Sequence, residues 1–133
     1  MTLVIFDLET TGWSPYSNEI IQIAAVKMRD GCLEEGATFV RPEARVPWHI
    51  TNLTGITRDH VRDAPSVTEA LQSFARFVDV DATLIAHNAV FDMSFIRKIC
   101  TRHGLPVREV GVIDSLALFQ RFGAVGSGTI WML

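Results

Sequence analysis

The feature that most constrains the fold stands at the start of the chain, where an unbroken apolar run meets acidic and small polar residues. Residues 3–6 read LVIF and residues 7–12 read DLETTG. Consecutive large apolar residues of the types that favour strands are typical of a central strand covered on both faces. We therefore predict a buried strand over residues 3–6 that runs into a polar loop at Asp7.

Two further segments predict a hairpin beside this strand. Residues 19–28 are rich in isoleucine, alanine and valine, and residues 32–40 alternate more regularly between apolar and polar types. The Asp-Gly dipeptide between them supplies a turn, so the two segments should form antiparallel strands. The stretch 41–65 contains three prolines and is predicted to be mostly irregular, with a brief helix near residues 50–53.

The second half of the chain alternates between helix and strand signals. Ser66 and Glu69 have the spacing of a capping box, and the apolar residues behind them recur at helical intervals. A strand, a helix, a strand and a short helix follow at residues 83–86, 90–103, 110–113 and from residue 115. Hairpin strands followed by strand–helix units predict the α/β class: a mixed central sheet, part antiparallel and part parallel, flanked by helices.

The composition bounds the classes of protein that this chain can be. Its 133 residues are 48% hydrophobic and 20% charged, which is ordinary for a single domain. The formal charge of −3 provides no broad positive field, so a nucleic-acid site must be local or neutralised by metal. Two solitary cysteines indicate neither a disulfide framework nor a zinc site. With no signal peptide and no apolar run near the roughly 20 residues of a membrane span, we expect a cytoplasmic protein.

Two acidic residues of the opening motif share one side of the chain. Side chains alternate between the faces of a strand, so Asp7 and Glu9 project together while Leu8 faces the other way. Adjacent carboxylates repel each other unless a proton or cation lies between them, which is typical of a site for a hard cation. On its own this pattern more often marks a solvated strand end, and both interpretations stay open at this point.

Two further acids occupy positions that need an explanation. Asp92 stands near the start of a predicted helix, on the same stripe as Phe95 and Ile99. The helix dipole stabilises an acid at this position. The free-energy cost of removing a core-facing carboxylate from water is larger than this stabilisation, and a bound metal or a buried hydrogen-bond donor would compensate for it. Asp114 follows a predicted strand, and the sequence does not separate capping of the next helix from support of a site.

These acids all lie at strand ends or helix starts, which is where an α/β sheet gathers its site. Magnesium prefers oxygen ligands and retains water molecules and substrate phosphates among them. Carboxylates gathered in this way are therefore compatible with two-metal hydrolysis of a phosphodiester bond.

The same residues resemble a known family. Residues 7–12 resemble the first motif of the DnaQ-like, or DEDD, 3′→5′ exonucleases, a family that includes the proofreading epsilon subunit of bacterial DNA polymerase III. Residues 87–92, which read HNAVFD, resemble the second motif. Shorter matches follow in the family's order at residues 19–26, 53–57 and 112–118. The resemblance implies a ribonuclease H-like fold, Mg²⁺ or Mn²⁺ as cofactor, and release of nucleoside monophosphates from the 3′ end of single-stranded DNA or RNA.

The resemblance also implies roles for individual residues. Asp7, Glu9 and Asp92 would be the catalytic metal ligands, directly or through water. The residues that would contact the terminal nucleotide are Thr10, Thr11, Gly12, Leu53, Ile56, Asn88 and Phe91. Apolar walls tolerate any base because every base has a π-face, so little sequence preference is expected. The implied protein partner is a DNA polymerase subunit.

The family's third motif has no counterpart in this sequence. In the family, a His or Tyr followed by an Asp on a C-terminal helix supplies the general base and completes the metal site, but residues 115–133 contain no Asp, Glu, His or Tyr. His87 is not assigned as the base. We therefore expect a C-terminally truncated exonuclease-like domain over residues 1–122 and an irregular tail over 123–133.

Three hypotheses remain open from the sequence. The chain is an exonuclease of weakened activity, a catalytically inactive nucleotide- or partner-binding module, or a protomer whose site a second chain completes. Absent C-terminal helices would also leave apolar surface exposed and favour self-association.

Overall fold

The computed structural model describes residues 1–122. Its elements, in chain order, are β1 (Thr2–Thr10), β2 (Ile20–Arg29), β3 (Cys32–Phe39), α1 (Trp48–Thr54), α2 (Arg58–Val61), α3 (Val67–Phe77), β4 (Ala82–Ala86), α4 (Ala89–Arg102), β5 (Gly111–Asp114) and α5 (Ser115–Phe122). The predicted hairpin and the predicted strand–helix alternation are both confirmed.

The five strands form one mixed sheet in the order β3-β2-β1-β4-β5. β2 pairs antiparallel with β1 and with β3, whereas β4 pairs parallel with β1 and with β5. Parallel neighbours require a crossover connection, and α4 provides it between β4 and β5. The predicted α/β class, with an antiparallel part and a parallel part, is therefore confirmed.

β1 is longer than predicted from the sequence, and the prediction that a polar loop begins at Asp7 is wrong. The strand continues to Thr10, with Asp7 opposite Ala24 and Glu9 opposite Gln22 in β2. β2 is ten residues long, so it offers backbone partners beyond the apolar run. Polar side chains remain compatible with a strand when they project from its exposed side. The register shifts only between Glu9 and Thr10, where the strand ends.

The main hydrophobic core lies on one face of the sheet, where α3 and α4 pack. Alternate residues of β1 point into it, with Val4, Phe6 and Leu8 at most 5% exposed. Full burial of a side chain of this size contributes about 1.5–3 kcal/mol. The opposite face carries Asp7 and Glu9, and we call it the carboxylate face.

The 41–65 connection is more ordered than the sequence predicted. It contains α1, near the predicted brief helix, and also α2, which was not predicted. Its apolar residues form a second core, in which Ile50, Ile56 and Val61 pack with Ile21 of β2. This second core fixes the connection against the sheet.

A reciprocal cap starts α2. Thr57 Oγ1 accepts a hydrogen bond from His60 N at 3.4 Å, and His60 Nδ1 accepts one from Thr57 N at 2.9 Å. The His60 ring also stacks on Phe39, with ring centroids 5.1 Å apart. A histidine takes the place that Glu or Gln has in the usual capping box, which is why the sequence pattern did not indicate this helix.

The predicted tail over residues 123–133 lies outside the described residues, so the domain boundary at residue 122 stays a prediction. Within residues 1–122 the structure contains no helix that is long and apolar enough to cross a membrane. α4, with 14 residues, falls short of the roughly 20 that a membrane-spanning helix needs.

Candidate active site

Asp7 and Glu9 both project from the carboxylate face, as the alternation along the strand predicted. Leu8 between them is 5% exposed and points into the main core. Burial raises the pKa of Asp7, although a backbone hydrogen bond from Leu8 and the charge of His87 act against this rise. Burial also raises the pKa of Glu9, and the negative charge of Asp7 adds to the rise. The charge of Asp7 therefore disfavours the ionisation of Glu9.

Asp92 lies in the first turn of α4 and is only 2% exposed. Within residues 1–122 its carboxylate takes part in no hydrogen bond and no ion pair. Burial raises the pKa of Asp92 to about 7, and the charges of Asp7, Glu9 and Asp114 add to the rise. A buried carboxylate with carboxylate neighbours and no donor is a position that a cation would stabilise.

Asp114 combines the two roles that the sequence left open. Its Oδ1 accepts hydrogen bonds from Leu116 N at 2.9 Å and from Ala117 N at 3.4 Å, and so caps α5. The same oxygen accepts a bond from Asn88 N at 3.0 Å, at the start of α4. Burial raises the pKa of Asp114, but these backbone N–H groups outweigh burial and hold the pKa below its ordinary value.

The donor set suits a divalent cation, although its side chains are not drawn together. In the part of the chain that the structure describes, no three His, Cys, Asp or Glu side chains come close enough to hold a metal ion. Asp7, Glu9 and Asp92 nevertheless supply only carboxylate oxygens, which Mg²⁺ and Mn²⁺ prefer. The raised pKa of Asp92 reflects the same shortage of positive charge. The assignment of these three residues as metal ligands stays a prediction.

The opening motif ends in a closely bonded turn. Thr10 Oγ1 donates to Gly12 O at 2.7 Å, and Thr11 Oγ1 accepts from Glu19 N at 2.9 Å. Both threonines are less than 9% exposed, so their hydroxyl groups shape the turn. A Cβ atom on residue 12 would lie 2.5 Å from Asn18 Oδ1, so glycine allows Asn18 to close over the turn. Contact of these three motif residues with a nucleotide stays a prediction.

Asn88 and Phe91 lie where β4 leads into α4. Asn88 has φ 63° and ψ 57°, a left-handed conformation that asparagine tolerates better than most residues. Phe91 meets Trp13 edge to face, with ring centroids 5.9 Å apart, and Trp13 is 86% exposed. The structure thus brings an aromatic pair to the surface between the two motifs.

The two predicted base-contacting residues of the 41–65 connection have opposite surroundings. Leu53 is 80% exposed at the end of α1, whereas Ile56 is 4% exposed and packs in the second core. Leu53 therefore offers a free apolar side chain, and Ile56 holds the segment in place. Their predicted contact with a base remains a prediction.

Sequence reasoning missed Glu19, which joins two parts of the site. Glu19 Oε1 accepts from Glu43 N at 2.7 Å and Oε2 accepts from Ala44 N at 3.0 Å. Its backbone N–H donates to Thr11 Oγ1. These partners lie far from Glu19 in sequence and are mostly backbone groups, so no local pattern indicates them.

Comparison with known proteins decides the family. The RNase_T exonuclease family model matches residues 4–125. The chain belongs to this exonuclease family. The membership confirms the predicted resemblance to the DnaQ-like exonucleases.

Individual relatives support the same placement. The chain is 44% identical over 116 residues to the PolC-type DNA polymerase III of Lactococcus lactis subsp. lactis. This match covers 86% of the chain but 7% of the PolC-type protein, so the chain spans only a small part of that curated relative.

Solved structures share the fold. A product-bound exonuclease I is 20% identical with a TM-score of 0.82, and the match covers 98% of this chain and 34% of that one. Exonuclease X in complex with 5′ overhanging duplex DNA is 25% identical with a TM-score of 0.71, over 92% of this chain and 65% of that one. E. coli exonuclease I with single-stranded DNA is also known in a zinc-bound form.

Proposed function

We propose that residues 1–122 form the exonuclease domain of a metal-dependent enzyme that removes nucleotides from the 3′ end of single-stranded DNA. The observation that carries this proposal is that Asp7 and Glu9 project from one side of β1 and that their charges act on the buried Asp92 of α4. Each has a pKa raised by burial; the charge of Asp7 adds to the rise at Glu9, and the charges of Asp7 and Glu9 add to the rise at Asp92. Membership of the RNase_T exonuclease family supports it.

Asp7, Glu9 and Asp92 would hold Mg²⁺ or Mn²⁺. When bound, the metal supplies positive charge that stabilises the transition state of phosphodiester hydrolysis. Asp114 fixes the backbone of Asn88 and thereby the start of α4, which carries Asp92. Leu53, Phe91 and the turn at residues 10–12 would bound the terminal nucleotide, which leaves as a nucleoside monophosphate.

A polymerase is the partner that we propose. The PolC-type relative is by its name a DNA polymerase, and a 3′-end nuclease acting beside a polymerase would remove nucleotides from the growing strand. We therefore place this domain in proofreading during DNA replication, with single-stranded DNA in preference to RNA as its substrate.

A second candidate function is a non-catalytic module that binds nucleotides or a partner. One observation favours it. Among residues 1–122, no three potential ligands converge on a metal position.

A site completed by a second copy of the chain is the remaining alternative, and the sheet offers a surface for it. Val26, Ile5, Ile85 and Ile113 are register partners across β2, β1, β4 and β5, so they form one row on the carboxylate face. We call them the apolar row. Ile5 is 42% and Ile113 is 38% exposed, which supports self-association through this face.

The decisive experiment measures release of mononucleotides from a 3′-labelled single-stranded oligonucleotide with Mg²⁺ or Mn²⁺. The matched control is Asp7→Asn, Glu9→Gln, which removes two charges and keeps the side-chain shapes. We expect release by the natural chain and a loss of at least about 10²-fold in the control. A parallel RNA oligonucleotide tests the preference for DNA.

Each outcome selects one of the functions. Activity that rises more steeply than protein concentration supports a site shared between two copies, because only the dimer would be active. No release with either metal, while the chain still binds the oligonucleotide, would establish the non-catalytic module and refute the exonuclease proposal.

A further inference from the structure

Four arginines line one groove at the surface of the 41–65 connection. The groove has a volume of about 530 Å³, and its charged residues are Arg41, Arg45, Arg58, Arg62 and a single acid, Glu43. The whole chain has twelve lysines and arginines and a net charge of −3. One third of all its cationic side chains therefore converge on one groove of a net acidic molecule.

The two arginines with no other partner are those best placed to bind a ligand. Within residues 1–122, the side chains of Arg45 and Arg58 form no hydrogen bond, ion pair or ring contact. Arg41 donates to a backbone carbonyl, and Arg62 pairs with aspartates of its own segment. The groove thus presents two free guanidinium groups flanked by two that are held in position.

The groove borders the second core, which reaches the carboxylate face at Phe39. Val46 and Val61 line it and also belong to the second core with Phe39. Phe39 is the register partner of Gln22, and Gln22 is that of Glu9, so Phe39 lies on the carboxylate face. Phe39 and Glu9 are separated by two strand spacings, which is about 10 Å.

The segment that carries the arginines is fixed to the opening motif. Glu19 accepts hydrogen bonds from the backbone of Glu43 and Ala44, and its own backbone N–H donates to Thr11. Arg41 and Arg45 flank these two residues in sequence. Their position relative to the motif is therefore set before any ligand binds, which lowers the entropy lost on binding.

We propose that this arginine groove binds the phosphodiester backbone of the strand whose 3′ end lies at the carboxylates. This rests on the proposed function and adds the path of the strand. Guanidinium groups bind phosphates through paired, charge-assisted hydrogen bonds and read no base sequence. The groove lies beyond Phe39, which is about 10 Å from Glu9, so at about 3.4 Å per stacked nucleotide it is at least about three nucleotides upstream of the terminal one.

The test measures how salt weakens strand binding. The test compares two double variants. The groove pair is Arg45→Gln, Arg58→Gln, and the control pair is Arg76→Gln, Arg97→Gln, which removes the same charge from exposed positions on α3 and α4. Both pairs are made in the Asp7→Asn, Glu9→Gln background with Mg²⁺, so that the oligonucleotide stays intact. Fluorescence anisotropy gives the affinity for a 5′-labelled oligothymidine dodecamer over a series of NaCl concentrations.

We expect the magnitude of the negative slope of log affinity against log salt to decrease by about 1.4 in the groove pair. Each of the two phosphates that the variant no longer neutralises accounts for about 0.7 of this decrease. The slope of the control pair stays at that of the background. Binding of a trimer, which is too short to reach the groove, weakens less than binding of the dodecamer. Thermal unfolding of both pairs checks that the fold is intact.

Equal slopes for the two pairs would overturn the groove proposal, and so would equal weakening for trimer and dodecamer. The mononucleotide assay with the natural chain reports separately on the proposed function. Release without a slope change refutes only the groove. A slope change without release refutes only the catalytic proposal and leaves the groove as a strand-binding site.

Discussion

At the scale of single residues, Asp92 is the side chain whose surroundings most oppose its charge. It is 2% exposed, and burial with the charges of Asp7, Glu9 and Asp114 raises its pKa to about 7. In the unfolded chain the carboxyl group of Asp92 has a pKa of about 4. Between about pH 4 and pH 7 the folded state binds more protons than the unfolded state, so the free energy of unfolding falls as pH rises.

We expect the metal-free protein to lose at most about 4 kcal/mol of stability between pH 4 and pH 8 through Asp92, because solvent screens part of the interaction. Asp92→Asn has no proton to lose and should flatten this part of the profile, so that the variant is more stable than the natural chain at pH 8. Urea unfolding at a series of pH values in EDTA measures the effect. A profile of unchanged steepness in Asp92→Asn would show that the carboxyl does not titrate against its neighbours.

Residues with a local signal were predictable, and residues with distant partners were not. The spacing of Asp92 from Phe95 and Ile99 placed it on the buried stripe of its helix, and the structure agrees. Glu19 carried no signal, because its carboxylate binds backbone N–H groups 24 and 25 positions further along. Such a contact depends on how the chain returns to the sheet, which no spacing rule describes.

At the scale of elements, Asp114 joins three of them. It ends β5, caps α5 through Leu116 and Ala117, and holds Asn88 at the start of α4. Burial alone would raise the pKa of Asp114, but its hydrogen bonds outweigh burial and lower the pKa. The stabilisation they provide is present above the ordinary pKa of an aspartate, near 4, and is lost as pH falls through the lowered pKa.

We expect Asp114→Ala to lower the thermal midpoint at pH 7 and to differ much less from the natural chain at strongly acidic pH. This sign is opposite to that of Asp92. Asp114→Asn keeps one acceptor oxygen and should fall between the two. Differential scanning calorimetry across the pH range measures these differences. A deficit in Asp114→Ala that persists undiminished into strong acid would indicate a packing defect and would contradict the role of the charge.

Elements were predictable where their own residues specify them. The capping spacing of Ser66 and Glu69 indicated α3, and Ser66 Oγ does accept from Glu69 N. β1 extends past its apolar run because β2 supplies partners, and α2 forms because Thr57 and His60 cap each other above the second core. Both outcomes depend on a neighbouring element or on an unusual pair of residues, so the sequence rules left them out.

At the scale of the whole molecule, the two faces of the sheet carry different groups of residues. One face holds the main core with α3 and α4, and the other carries Asp7 and Glu9, the second core at one end and the apolar row beside Asp7. The class of sheet followed from the order of strand and helix signals. The alignment of four residues in the apolar row could not be predicted from the sequence, because it depends on the register of three strand pairs. These residues are Val26, Ile5, Ile85 and Ile113.

The apolar row makes the oligomeric state a prediction about the whole molecule. We expect self-association over the micromolar range in sedimentation velocity, because contact between two rows removes apolar surface from water. Ile5→Thr, Val26→Thr keeps two β-branched side chains in their strands while it adds polar groups to the row. This variant should sediment as a monomer at every concentration at which the natural chain associates.

The matched control is Val80→Thr, Val107→Thr, which makes the same chemical change at two exposed valines outside the strands. It should associate as the natural chain does. If the control and the row variant lose association equally, the contact depends on general surface hydrophobicity and not on the row. If mononucleotide release also disappears in the row variant and persists in the control, the active site depends on contact between copies.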